Sequence, residues 1–373
     1  MESKNKAVLT ESSEFHGNLD NRHELEDIKI AIVLPVYNTA SYLRECLDSL
    51  IQQKHTNFKV FVVDDGSTDG SSVILDEYAA KDKRFLVWHI ENGGVSAARN
   101  FALEQIEKSG EFQLVSFCDS DDIVNPNFLH LYAYGVVKYK AQFVTVGYVK
   151  FDKRGIRGLK KKIMHPPLLL IGDDLLEFGL LFHSLSSVSP AGAYFLNNVA
   201  FSTKFVHGVR FDVKRTIGED VDYRFRTIVR MDRGVAFSDV GYNYRIRKSS
   251  LSNRELYPIC SGLDLYLDWL RKMDEGVTGV PEKVKVQIIR EFRKEIVRSW
   301  ECEKLKENWS CFCEYYKKIK HFCSDFSVFS PGMEIIFLFP WGPRVMRCFL
   351  FIRRFASRSS RERFANKMLS AYE

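Results

Sequence analysis

Asp119, Asp121 and Asp122 fall within four residues of "SFCDSDDIVNP" (116–126), directly after the apolar run "QLVSFC". Negative charges gathered at the end of a buried strand repel one another and resist desolvation, so either solvent in a turn or a cation must absorb them. Such a group suits a hard divalent cation, Mg2+ or Mn2+, which takes one or two protein carboxylates and completes its shell on substrate phosphates. There it would neutralise a diphosphate leaving group. Four other clusters carry compatible chemistry. "VVDDGSTDG" (62–70) offers side-chain acceptors for a nucleobase imide or a ribose hydroxyl, Asp65 first among them. In "NGGVSAARN" (92–100), Gly94 lets backbone approach a ligand and Arg99 could reach a base or phosphate, although the G-x-G-x-x-G spacing of dinucleotide sites is missing. "GED" (218–220) sets two carboxylates after a glycine, outside any clear helix, as candidates for a general base acting on a hydroxyl. "YRIRKSSLS" (244–252) places Arg245, Arg247 and Lys248 beside small hydroxyl residues, a composition equally suited to a phosphate-contacting loop and to a solvated basic strand.

The elements that must position these groups alternate. "IKIAIVLPVYN" (28–38) reads as a strand buried on both faces, as in a parallel sheet. "ASYLRECLDSLIQQ" (40–53) has apolar residues at helical spacing (Leu43, Cys46, Leu47, Leu50, Ile51), with Ser41 as N-cap. Strands at 58–65, 84–90 and 112–118 follow, separated by helical segments at 71–82 and after the Gly turn at 93–94. This pattern predicts a doubly wound α/β sheet, in which ligands bind at the carboxyl ends of the strands. Tyr37–Asn38, Asp64–Asp65, Asn92–Gly94 and Asp119–Asp122 all fall at such ends. Residues 127–250 look less regular, and from about 255 the pattern turns helical and charged.

The 373 residues are 45% hydrophobic and 27% charged, enough for a sizeable core. From residue 341 onward eight Arg or Lys stand against two Glu, which accounts for the whole net charge of +6. The positive charge is local, which argues against a nucleic-acid binder and for a contact with something anionic. Arg mixed with Phe, Trp and Ile over 335–367 suits an interfacial segment on an anionic membrane, a basic helical lid or an oligomer contact. No run reaches the ~20 apolar residues of a membrane span. Residues 1–27 read as a flexible polar leader without a signal-peptide core. The eight Cys show no paired zinc spacing and read as reduced thiols.

Taken together, "IVLPVYN", "VVDDGSTDGS", "NGGVSAARN", "DSDD", "GED" and "YRIRKSSLS" occur in an order and spacing that resembles the family 2 glycosyltransferases of bacterial cell-surface polysaccharides. The resemblance implies a GT-A fold over 28–255, a doubly wound, mostly parallel sheet with a Rossmann-like nucleotide-sugar half (28–125) and an acceptor half (126–255); outside it, the pattern over 256–373 reads as a helical, basic C-terminal extension. The resemblance implies inverting transfer of a hexosyl or N-acetylhexosaminyl group from a nucleotide diphosphate, most often UDP, to a hydroxyl of a glycan or lipid-linked glycan. The reduced thiols point to a cytoplasmic protein, peripheral on the inner membrane face if the basic tail binds lipid. Carried over by position, Pro35, Tyr37 and Asp65 hold the base with Gly94 and Arg99 nearby. Asp119 meets the ribose or the metal, Asp121 binds Mn2+ or Mg2+, and Asp220 is the base with Glu219 as the second choice. Asp122 receives no separate role. Two other readings compete: a non-catalytic nucleotide-sugar-binding scaffold of the same fold, and a nucleotide triphosphate enzyme, for which no GxxxxGK[ST] loop is present.

Overall fold

The computed structural model describes residues 22–152, 154–157, 166–180, 196–215, 218–247, 268–271 and 288. The chain divides into two compact units, residues 1–254 and 255–373. In the second, one helical turn at 268–271 and residue 288 are described, with Trp269, Leu270 and Ile288 buried. The basic segment 335–367 and residues 1–21 of the leader lie outside the described residues.

In chain order the first unit contains α1 (Arg22–Asp27), β1 (Ile30–Val36), α2 (Ala40–Ile51), β2 (Phe58–Asp65), α3 (Ser71–Lys81), β3 (Phe85–Ile90), α4 (Val95–Ser109), β4 (Leu114–Phe117), β5 (Ile123–Val124) and α5 (Phe128–Tyr139). It continues with β6 (Phe143–Asp152), β7 (Gly155–Arg157), β8 (Leu168–Ile171), α6 (Asp173–Leu180), β9 (Val199–Ser202), α7 (Thr203–Val206), α8 (Glu219–Ile228) and β10 (Arg233–Arg245). One sheet runs β3-β2-β1-β4-β9-β6-β10-β5, with β7 on β6 and β8 on β10. β1 pairs in parallel with β2 and β4, and β2 with β3, so the expected doubly wound half is present. All seven residues of β1 are buried, as a strand covered on both faces must be.

α2 buries Leu43, Cys46, Leu47 and Leu50, each large apolar side chain contributing about 1.5–3 kcal/mol on removal from water. Ile51, expected on that face, is 37% exposed. Ser41 is not the N-cap. Thr39 holds that position without a side-chain cap bond, and the carboxylate of Asp69 accepts the Ala40 N–H at 2.9 Å. The cap comes from the neighbouring β2–α3 loop, a partner that local sequence does not show. The last six residues of the leader form α1, with Leu25 packed on the core.

The stretch that looked irregular, 127–250, supplies α5 and five strands, β6 to β10, that complete the sheet. β9 runs antiparallel between β4 and β6, and β10 pairs in parallel with β6 across two register shifts around Val240. Those irregularities, and the polar residues along β10, blur the period-two pattern that would announce a strand. α5 packs tightly on this half: a Cβ on Gly135 would lie 2.8 and 2.9 Å from the Val144 methyls.

Candidate active site

Loops at the carboxyl ends of β1, β2 and β4 are stitched together. Asn38 adopts a positive φ of 50°. Its N–H donates to Ser67 Oγ at 3.1 Å, and its Oδ1 accepts the Thr68 N–H at 2.8 Å. The Thr39 hydroxyl donates to Ser120 Oγ at 2.9 Å, which ties the acidic turn to the same loop. Tyr37 projects from this edge, 51% exposed, while Pro35 is buried in β1. Cys118 N–H bonds Val33 O beside the last β1–β4 pair, so Pro35, still in register with Val63 of β2, lies past the end of the β1–β4 ladder, where no donor is demanded of it.

Asp65 is 2% exposed and braces the glycine loop: its two oxygens accept the Gly93 and Gly94 N–H groups at 2.7 and 2.8 Å. Gly94 needs its φ of 86° for this approach, a conformation that a side chain would strain. Burial alone would raise the Asp64 carboxyl, but donors on Ser67, Ser72 and His89 bring it below the usual carboxylate range.

The acidic turn separates into three environments. Asp122, 1% exposed, accepts the Tyr242 hydroxyl at 2.6 Å and the Arg245 N–H at 2.7 Å. Burial, and then Asp121 and Asp119, push its carboxyl far up. Its task is to latch β10 to the turn, a role the sequence did not reveal. Asp119 accepts Arg99 Nη2 at 3.3 Å on one oxygen and Asn197 Nδ2 at 2.5 Å on the other, while its own N–H donates to the Tyr242 hydroxyl at 3.2 Å. Asp121 meets Arg247 Nε at 2.5 Å, and its carbonyl accepts Arg245 Nε at 2.7 Å. Burial, followed by the charge of Asp119, pushes the Asp121 carboxyl up to about 6 against the opposing pull of Arg247.

Glu219 and Asp220 open helix α8 rather than lying outside a helix, because Gly218 at φ 71° reverses the chain just before them. Acidic residues are favoured in a first helical turn, where the N–H groups are unpaired. Glu219 Oε1 accepts Arg99 Nη1 at 3.2 Å. Burial and Asp220 raise the Glu219 carboxyl, and Arg99 opposes them. One Asp220 oxygen accepts the Val221 N–H at 2.8 Å. Arg99 itself is 5% exposed, lies over the Phe211 ring at 5.3 Å, and joins Asp119 to Glu219. Phe211 in turn stacks on Tyr223 of α8 at 4.1 Å. The sequence-predicted Asp119, Arg99 and Glu219 are thus in contact, with Asp121 and Asp220 adjoining in the chain. Asn197, Tyr242 and Tyr42, whose ring lies beneath both Arg245 and Arg247, carried no signal of their own in the sequence.

Among the described residues no group of three or more His, Cys, Asp or Glu is placed to hold a metal unaided. The donor set still fits a hard cation. Asp121 already draws a cationic group, the Arg247 guanidinium, to its carboxylate, and one or two carboxylates with substrate phosphates are what Mg2+ or Mn2+ ordinarily uses.

Residues 31–199 match the family model described as glycosyl transferase family 2. Glycosyltransferase GlyA of Streptococcus pneumoniae serotype 4 is 32% identical over 235 residues, 61% of this chain and 32% of GlyA. The "putative teichuronic acid biosynthesis glycosyltransferase TuaG" of Bacillus subtilis (strain 168) is 32% identical over 149 residues, 40% of this chain and 57% of TuaG. The chain thus spans less than two thirds of the length of either relative. Among solved structures, S. aureus TarS (residues 1–349) in complex with UDP-GlcNAc superposes with a TM-score of 0.64 at 19% identity, over 86% of this chain and 88% of that one. At that identity the likeness shows the fold, and the fold is GT-A.

Proposed function

Starting from the family 2 glycosyltransferase domain that this chain carries at residues 31–199, we propose that it is an inverting, metal-dependent glycosyltransferase. It moves a hexosyl or N-acetylhexosaminyl group from a nucleotide diphosphate sugar, UDP favoured, to a hydroxyl of a glycan or lipid-linked glycan in cell-surface polysaccharide synthesis. The observation that carries the reading is Arg99, which holds Asp119 of the acidic turn and Glu219 of α8 on one guanidinium and so sets a candidate base beside a candidate diphosphate site. The similarity to GlyA and TuaG supports glycosyl transfer, and the UDP-GlcNAc complex of TarS supports the donor class.

In this reading Tyr37 offers an exposed ring to the base, and the Asp65-braced Gly93–Gly94 loop lets the donor approach backbone. Asp121, with Asp119 nearby, would hold a divalent cation, which when bound would supply Lewis-acid neutralisation of the diphosphate. Asp220 accepts the acceptor's proton as the hydroxyl oxygen attacks the anomeric carbon. The carbon–oxygen bond to the phosphate breaks on the opposite face, and its electron pair leaves with the diphosphate. Asp220 is preferred over Glu219 because Glu219 is committed to Arg99. A general base contributes about 10²–10⁴-fold. Calorimetry with UDP, GDP and CMP, with and without Mn2+, tests the donor site, and transfer from UDP-sugars tests the base. Asp220→Asn should bind UDP but lose activity by that factor, and Glu219→Gln should lose less. Metal-dependent UDP binding without any turnover would favour the scaffold reading. The basic segment 335–367 remains a proposed peripheral contact with the inner membrane face. Among the described residues no helix is long and apolar enough to cross a membrane.

A further inference from the structure

We infer that Arg247 is an exchangeable occupant of the Asp121 carboxylate, which it holds while the donor site is empty and gives up to the divalent cation that accompanies the diphosphate. The inference rests on the donor-site reading above. Its geometric basis is a division of labour within the turn. Asp122 is closed on both oxygens by Tyr242 and the Arg245 N–H, and Asp119 lies between Arg99 and Asn197. Each of those partners comes from a secondary-structure element or from the short helical turn before β9. The partner of Asp121 is different in kind. Arg247 lies two residues past the end of β10, and it reaches back to place Nε 2.5 Å from Asp121 Oδ2.

Arg245 and Arg247 lie over the same Tyr42 ring, at 5.1 and 5.2 Å. Arg245 bonds the Asp121 carbonyl and Glu45 and also lies over Phe151 at 4.5 Å. It anchors the strand end from which Arg247 extends. The Arg247 and Asp121 side chains are 23% and 14% exposed, so their attraction is only partly screened. A guanidinium and a divalent cation on one carboxylate would stand within a few ångströms of each other and repel, so the two occupancies are alternatives. The diphosphate supplies the guanidinium with a second set of oxygens, for which its planar donor fork is well suited. Arg247 would therefore oppose cation binding in the absence of nucleotide and favour nucleotide once the cation is bound. Because binding free energies are linked, each partner must then strengthen the other's affinity.

The test is calorimetric titration of Mn2+ into the full chain, with and without UDP, for wild type, Arg247→Ala, Arg247→Lys and Asp121→Ala. Without nucleotide, Arg247→Ala should bind Mn2+ on the order of tenfold more tightly than wild type, equivalent to about 1.4 kcal/mol. Arg247→Lys, which restores the charge, should return most of the way to wild type and so separate competition from a folding defect. With Mn2+ saturating, Arg247→Ala should bind UDP more weakly than wild type. Mn2+ binding that is lost in Asp121→Ala but unchanged or weaker in Arg247→Ala would overturn the exchange and leave the donor-site reading intact. No Mn2+ binding to any of the proteins, even with UDP, would remove the metal from the proposed function and the exchange with it.

Discussion

Arg99→Ala is the most demanding perturbation of this site. Arg99 is 5% exposed, and its two terminal nitrogens lie 3.3 and 3.2 Å from the carboxylates of Asp119 and Glu219. Removing one partner of a buried ionic group costs about 3–5 kcal/mol, because the charges left behind stay desolvated. Both contacts are longer than the ~2.7–2.9 Å of a strong charge-assisted bond, which favours the lower end, about 3 kcal/mol. Loss of the guanidinium over Phe211 adds about 0.5–1 kcal/mol. The deficit should also depend on pH. The Glu219 carboxyl already lies above its usual value through burial and Asp220, with Arg99 opposing, and it rises further once Arg99 is gone. A carboxyl whose folded pKa exceeds its unfolded one binds more protons when folded, so stability increases as pH falls through that window. Urea unfolding of wild type and variant should therefore show a deficit that is largest at about pH 7.5 and shrinks toward about pH 5. Arg99→Lys should recover part of it. A deficit under about 1 kcal/mol, or one indifferent to pH, would mean that Arg99 behaves as a solvated surface pair. The argument that it fastens α8 to the acidic turn would then fail.

Three other outcomes follow from local geometry. Tyr242→Phe removes the hydroxyl shared by the Asp119 N–H and the Asp122 carboxylate, and urea unfolding should show a loss of about 2–3 kcal/mol. His89, 43% exposed, is raised chiefly by its bond to Asp64, against burial and with help from Asp76. Its stabilising contribution is fully present below the unfolded pKa and lost as pH rises through the folded one. The melting-temperature gap between wild type and His89→Gln should accordingly be wide at about pH 5.5 and close by about pH 8.5. Gly135→Ala should destabilise by about 1–3 kcal/mol despite alanine's better helix propensity, because the new methyl meets Val144 and Val235 at 2.8–3.0 Å. Calorimetric melting of that variant measures it, and a neutral or stabilising result would show that α5 can shift outward.

Periodicity and strand-end chemistry carried a large part of this protein into view without any coordinates. The apolar run before Asn38, the helical spacing of Leu43, Cys46, Leu47 and Leu50, and the polar clusters closing each strand placed the parallel half of the sheet and the polar edge at its strand ends. Such signals are local: a buried parallel strand and an amphipathic helix each have a short-range signature. What only the tertiary structure decided is which partner each polar group takes. The Asp69 cap on α2, the Asp65 brace under Gly93 and Gly94, the Tyr242 latch on Asp122, and Arg99 between Asp119 and Glu219 all join residues distant in the chain. Within "DSDD" the three carboxylates are the same chemical group, and the motif resemblance that gave Asp119 and Asp121 roles said nothing of their burial or partners. Burial and partners rank them, and those exist only when β4, β10 and α8 converge, because the field at a carboxylate depends on the charges and donors within a few ångströms of it in space.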